Sequence, residues 1–489
     1  MRPTLLALLA LAVSASGCAP ALGAAASSPA GQAAIEKAVQ RGLARAGLAT
    51  APAAAGAQGP AAGARLSAGP MLADVTHRGA AVWVLTDGPA EVRVVATPAS
   101  DSAQVVEGST IADAAGTATV RLAGLEPGTT YQYAVEVNGT PTGDGGRLRT
   151  QPLWQWRTDP PTFTAALGSC YYDNDPAYDR PGTPYGGSPA IFGEIAALRP
   201  DLMLWLGDNT YLRETDWWDP AGIEYRFRHS RSEPALGPLL ANTAHYAVWD
   251  DHDYGPNDSD RSYVLKGSSY DTFSRYWPAG SRGLPGVPGM FTQFQWADVE
   301  FFVLDDRWHR APNDAPARER TILGAEQRQW LLDALTASRA PFKVVAIGGQ
   351  FLNPVAVFET FSNVAPAERQ AVLAEIAARR IEGVVFLSGD RHHTELLKLD
   401  RPGAYPLYEF TSSPLTAGGS TTALQPESPE RANPLRVPGT LVAGPRNFGT
   451  LTVSGPRTDR TMTMRTYGAD GALLWEHAVR ARDLQMPRN

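Results

Sequence analysis

Four short segments of this 489-residue chain concentrate side chains that carry protons or bind metals. Trp249-Asp250-Asp251-His252-Asp253 sets three carboxylates and an imidazole in four consecutive residues. Such carboxylates repel one another unless a cation or an arginine is close. Gly389-Asp390-Arg391-His392-His393 has the same character, while Gly207-Asp208-Asn209 and Gly168-Ser169-Cys170 add a further carboxylate and a thiol. Alone, a Gly-Asp pair is an ordinary turn and a single cysteine is usually inert. Together, carboxylates, imidazoles, a thiolate and the phenol of Tyr211 make a mixed oxygen, nitrogen and sulfur donor set suited to two or more metal ions. A competing reading is a cysteine hydrolase with Cys170 as nucleophile and His252 as base, which leaves Asp208, Asp251 and Asp390 without a task.

These segments can meet only if the elements before them end at one place. Beyond Pro161 strand and helix patterns alternate: apolar runs at Thr162 to Leu167, Leu202 to Leu206, Phe301 to Leu304, Phe342 to Ile347 and Val384 to Leu387 have the length and composition of buried strands. Helical spacing falls at Pro189 to Leu198, Ala325 to Ser338 and Pro366 to Arg380. Each run ends in polar residues with glycine close by, the place where an α/β sheet holds its ligands. The runs Thr450 to Val453, Thr461 to Thr466 and Leu473 to Ala478 read as antiparallel strands that complete a catalytic domain over residues 160–480. Residues 66–152 instead show short alternating β-type runs, and Leu125-Glu126-Pro127-Gly128 leading into Tyr131 and Tyr133 resembles the corner of a fibronectin type III sandwich. The stretches Pro278 to Met290 and Ala417 to Pro438 are long enough to serve as lids.

Residues 1–18 read as a secretory signal: Arg2, an apolar run from Leu5 to Val13, then small residues. Ala15-Ser16-Gly17-Cys18 resembles a bacterial lipobox, so export to the periplasm or cell envelope with a lipid anchor through Cys18 is expected, and residues 19–65 form a flexible Ala, Gly and Ser-rich tether. With Cys18 lipidated, Cys170 has no disulfide partner, since the chain holds only two cysteines. A net charge of −7 gives no electrostatic reason to expect a nucleic-acid partner, except as a substrate. Membrane contact is expected only through the anchor, and the protein is expected to be monomeric.

The motifs, in their order, resemble the PhoD-like alkaline phosphatases, a branch of the calcineurin-like metallophosphoesterases similar to the purple acid phosphatases, over roughly residues 66 to 480. The resemblance implies an α/β (α+β) metallophosphoesterase sandwich flanked by helices and preceded by a small fibronectin III-like all-β domain. It implies that Asp208 is a bridging ligand and Tyr211, spaced D-x-x-Y from it, an iron-binding tyrosinate. Cys170 stands where this branch has cysteine and its relatives have aspartate. His392 is then a further ligand of the first metal, Asp390 one of the second, and Asp251 or Asn257 completes the second. The implied cofactors are ferric iron, Fe(III), and one or two calcium ions, Ca2+. Gln350 stands where many metallophosphoesterases have a histidine ligand. Arg307 and Arg391 are placed to contact phosphate through their planar forks, with salt bridges to the surplus carboxylates as the alternative. His252 contacts phosphate, protonates the leaving oxygen, or hydrogen-bonds a carboxylate. Trp249 and the pair Trp217-Trp218 read as walls and core. The implied activity is an exported phosphatase that hydrolyses phosphate esters, monoester or diester, with hydroxide generated by metal ions. A catalytically silent binding lipoprotein is the remaining alternative.

Overall fold

The structure, a computed structural model, describes residues 63–100 and 104–487. The expected signal, Cys18 and the tether up to residue 62 lie outside the described residues. Strands β1 (Leu66–Ala73), β2 (Gly79–Thr86), β3 (Glu91–Pro98), β4 (Val106–Ile111), β5 (Thr117–Ala123), β6 (Thr130–Val137) and β7 (Thr140–Arg149) come first. They make two antiparallel layers, β1-β2-β5 and β4-β3-β6-β7. Along β3 the side chains of Val92, Val94 and Ala96 are buried while Glu91, Arg93 and Val95 are not, the alternation of a strand with one wet face. Tyr131 closes the corner by accepting a hydrogen bond from Glu126 N at 2.8 Å through its hydroxyl.

Three parallel strands follow, β8 (Phe163–Gly168), β9 (Leu202–Leu206) and β10 (Ala244–Val248). On β9, Leu202, Leu204 and Leu206 enter one core while Met203 and Trp205 enter another, so both faces are covered and the sequence shows an unbroken apolar run. The opposing sheet contains β11 (Thr292–Trp296), β12 (Val299–Val303), β13 (Phe342–Ala346), β14 (Val384–Ser388), β15 (His393–Leu399), β16 (Leu407–Thr411) and β17 (Val442–Ala443), in the order β11-β12-β13-β14-β16-β15-β17. Strands β18 (Asn447–Ser454), β19 (Thr461–Gly468) and β20 (Leu473–Arg480) extend the first sheet beyond β8. Leu167, Leu204 and Val248 from one sheet and Val344, Phe386 and Leu387 from the other share a single core. The helices Gly324–Ala337 and Pro366–Ala378 join β12 to β13 and β13 to β14. The protein thus has a two-sheet sandwich flanked by helices, with an all-β region ahead of it.

That region is joined to the catalytic sheet through its own edge. Strand β1 pairs in parallel with β10, with Ala73 opposite His245, so one nine-stranded sheet runs from β20 to β5. Arg231 reinforces the junction: its guanidinium lies 4.8 Å from the ring of Trp83 on β2 and 4.2 Å from that of Trp277.

The carboxyl ends of β8, β9 and β14 crowd together because Gly389 lacks a side chain. A β-carbon there would stand 2.3 Å from the Leu206 carbonyl oxygen and 2.5 Å from Ser169 Cβ. Backbone cannot swing aside as a side-chain tip can. Gly389→Ala should therefore cost about 1–3 kcal/mol of stability through overpacking, read as a lowered midpoint in urea unfolding; an unchanged midpoint would contradict this packing.

Candidate metal centre

Asp208 follows β9 and stands at the middle of the donor set. Its Oδ2 accepts from the Tyr211 hydroxyl at 3.0 Å and lies 3.6 Å from Cys170 Sγ, while the Tyr211 oxygen is 3.2 Å from His392 Nε2. Cys170, Asp208 and His392 bring donor atoms within 4.8 Å of one another. A second group, Asp208, Asp251 and His252, does the same and shares Asp208 with the first. One carboxylate common to two donor groups has the geometry of a bridging ligand. Four of the expected donors, Cys170, Asp208, Asp390 and His392, have φ of 60°, 51°, 62° and 54°. Left-handed backbone is uncommon outside glycine and persists only where its surroundings impose it.

The surroundings are specific. The Cys170 sulfur accepts hydrogen bonds from Ser413 Oγ at 3.2 Å, and its N–H donates to the carbonyl of Gly207. The Tyr211 backbone carbonyl accepts from Arg213, whose guanidinium lies 3.9 Å from the Tyr172 ring and also donates to the Asp173 carbonyl and Asp179. Arg213 thereby ties the Tyr211 turn to the Cys170 loop. The Tyr211 ring stacks on His252 at 4.2 Å. Asp250 caps the short helix Asp251–Tyr254, and Asp251 accepts from the N–H groups of His252 and Asp258.

Electrostatics separate the carboxylates into two kinds. Burial, followed by the charges of Asp251, Cys170, Asp253 and Asp390, pushes the Asp208 carboxyl well above the ordinary range. Burial also raises Cys170 to about 11 and Asp390 to about 6. Asp251 goes the other way: burial works against its charge, but His252, Arg307 and the Asp258 N–H outweigh it. Arg307 contacts both Asp250 and Glu359, and Arg310 adds a contact to Glu359 at 2.5 Å; the two arginines hold Glu359 below the ordinary range, whereas burial still pushes Asp250 above it. Among the described residues no lysine or arginine pairs with Asp208 or Asp390. The His252 Nδ1 is buried and likewise has no hydrogen-bond partner among them. A soft sulfur, a phenol and an imidazole on one side of Asp208, with oxygen donors on the other, fit two cations of different character.

Asp208, Asp251, His252, Asn257, Asp390 and His392 line a cavity of about 680 Å3, while Cys170 and Tyr211 are buried outside its lining. Asn257 sits exposed at its rim. Arg391 also lines it, with Nη2 2.5 Å from Glu430 and Nε without a partner among the described residues. Arg307 does not line the cavity; it is fully buried among carboxylates, so its fork is engaged by Asp250 and Glu359. Gln350 is also outside, donating to Glu395 and Thr411. Trp249 is core, whereas Trp218 is exposed to solvent. Of the two expected lids, Ala417 to Pro438 supplies Gly418, Gly419, Ser420 and Thr422 to the cavity, and Pro278 to Met290 supplies none of its lining. Glu359, Tyr185 and Arg213 are additions that motif reading passes over; a glutamate between Phe358 and Thr360-Phe361 was the available signal for the first.

Breaking a buried ion pair on one side leaves an uncompensated charge. Arg307→Met should cost about 3–5 kcal/mol, measured by denaturant unfolding, because Asp250 loses its basic partner and Glu359 keeps only Arg310. A loss below about 1 kcal/mol would mean that the pair behaves as a surface one.

Against this geometry the comparisons with known proteins agree. A family model described as PhoD-like phosphatase matches residues 177–462, and one described as a domain of unknown function (DUF7800) matches residues 63–144. Alkaline phosphatase D of Bacillus subtilis (strain 168) is 27% identical over 354 residues, covering 61% of this chain and 58% of that protein. The chain therefore spans less than two thirds of the length of this relative. A solved structure of PhoD superposes with a TM-score of 0.68 at 19% identity, covering 84% of this chain and 91% of that one. Purple acid phosphatase PPD1 from yellow lupin (Lupinus luteus) seeds gives 0.61 at 13% identity, covering 86% and 76%. These two likenesses establish the fold. Because the PhoD-like model spans more than half of the sequence and includes the β9 and β10 turns at the centre of the site, the chain belongs to the PhoD-like phosphatase family.

Proposed function

We propose that the protein is an exported, metal-dependent phosphatase that hydrolyses phosphate esters, monoesters, diesters or both. The observation that carries this reading is the sharing of buried, unpaired Asp208 between two donor groups at one cavity. Cys170, Tyr211 and His392 would join Asp208 in holding Fe(III), and Asp208, Asp390 and Asp251 or Asn257 would hold Ca2+. When bound, such ions supply Lewis acidity toward phosphoryl oxygens and a water acidic enough to act as nucleophile near neutral pH. Arg391 lines the same cavity and, with its direction fixed by Glu430, supplies positive charge toward a phosphoryl oxygen. His252 lines the same cavity with its ring oriented by stacking on Tyr211, and burial lowers its pKa, which suits it to contact the leaving oxygen. Export, a lipid anchor on Cys18, a periplasmic or envelope location and a monomeric state complete the proposal.

The cysteine-hydrolase reading has less support. The Cys170 sulfur is fully buried, hydrogen-bonded by serines and raised away from the thiolate, opposite to what a nucleophile needs unless a cation binds it.

Three experiments test the proposal. Purified protein should contain about one iron and at least one calcium per chain and lose at least ~10-fold in activity on chelation. Its visible phenolate-to-iron band should bleach or shift in Tyr211→Phe; active metal-free protein, or an iron-replete mutant with an unchanged spectrum, would sink the assignment. Iron-loaded Cys170→Asp should retain activity within about 100-fold of the parent, which a nucleophilic cysteine could not survive.

A further inference from the structure

One wall of the cavity is not explained by the donor set. Phe358 lines it and is 61% exposed. An exposed apolar residue alone is unremarkable. Here, however, the backbone stands at φ 44°, a region bulky residues seldom adopt. The conformation is imposed from both sides: Asn363 Nδ2 donates to the Phe358 carbonyl at 2.7 Å, Thr360 Oγ1 donates to Val357 O at 2.9 Å, and Glu359 is gripped by Arg307 and Arg310. The ring is also backed. The Arg391 guanidinium lies 4.7 Å from its centroid, itself buried and held by Glu430. With a cation against one face, the exposed area of the ring leaves the remainder open to a planar ligand.

We propose that Phe358, supported by Arg391 and Glu430, is a specificity-determining residue that stacks on a planar aromatic group of the phosphate ester. The inference rests on the phosphoesterase reading and deepens it by naming the substrate class: aryl or nucleobase-bearing esters over small alkyl ones. Arg391 links the two halves of recognition, since the same cavity-lining side chain brings positive charge to the phosphoryl site and supports the ring. Stacking of a planar base on an aromatic side chain contributes roughly 5- to 150-fold in affinity.

The test uses the metal-loaded full chain and calorimetric binding of phenylphosphonate and methylphosphonate, whose carbon–phosphorus bonds resist phosphatase hydrolysis. The parent should bind the phenyl ligand at least about 5-fold more tightly. That ratio should fall to near one in Phe358→Asn, whose side chain suits the left-handed backbone, and survive in Phe358→Trp. Equal affinities in the parent, or a preference that persists in Phe358→Asn, would overturn stacking and leave the phosphoesterase reading standing. Failure of both phosphonates to bind the parent would overturn that reading and the stacking with it.

Discussion

Carboxylates buried beside one another without basic partners dominate this molecule. Moving an ionised carboxylate out of water is costly, and the cost grows when further anions stand within a few ångströms. The protein meets it in two ways. On one flank Arg307 and Arg310 contact Asp250 and Glu359, while Asp208 and Asp390 have no such partner among the described residues. The negative charge that remains is concentrated where Cys170, Tyr211 and His392 also converge. A charge balance of this kind directs cations to one end of the cavity and keeps arginine out of their place.

The fold around the centre serves that concentration. Parallel strands of both sheets feed the acidic turns, and glycines at the ends of β8, β9, β13 and β14 remove atoms that would crowd their neighbours. A β-carbon on Gly348 would meet both Asp250 and Asp306 at 2.5 Å, so this glycine, like Gly389, sets how closely the acidic turns approach. Arg213 then couples the turns after β8 and β9 through Tyr211, Tyr172 and Asp173. The long segment after β16 brings Gly418 to the other side, where its carbonyl oxygen is 2.5 Å from His392 Nδ1.

Strands buried on both faces were readable in the sequence because nothing polar interrupts them, as in Leu202 to Leu206 and Val384 to Leu387. Three strands that carry a buried histidine or glutamate were not. β10 contains His245, whose Nδ1 accepts from Trp205 Nε1 at 2.9 Å; β15 contains Glu395, paired with Arg436; β16 contains Glu409, which accepts from the N–H groups of Phe351 and Leu352. Each interrupts the apolar pattern locally and is satisfied only by residues distant in the chain. The donor residues were legible for the opposite reason, since acidic and imidazole groups clustered after apolar runs have no purely local explanation. The engagement of Arg307 with Glu359 is invisible at that level because the two are brought together only when β12 and the loop after β13 pack.

The left-handed backbone at Cys170, Asp208, Asp390 and His392 makes donor and turn one object. Aspartate and asparagine visit that conformation more readily than most residues, and glycine does so freely. An alanine scan would therefore confound two losses at every one of these positions, the missing donor atom and a less favourable turn. Asparagine at Asp208 and Asp390, and glycine at Cys170 and His392, keep the turn while altering or deleting the donor, so contrasting each with alanine separates ligand chemistry from loop geometry.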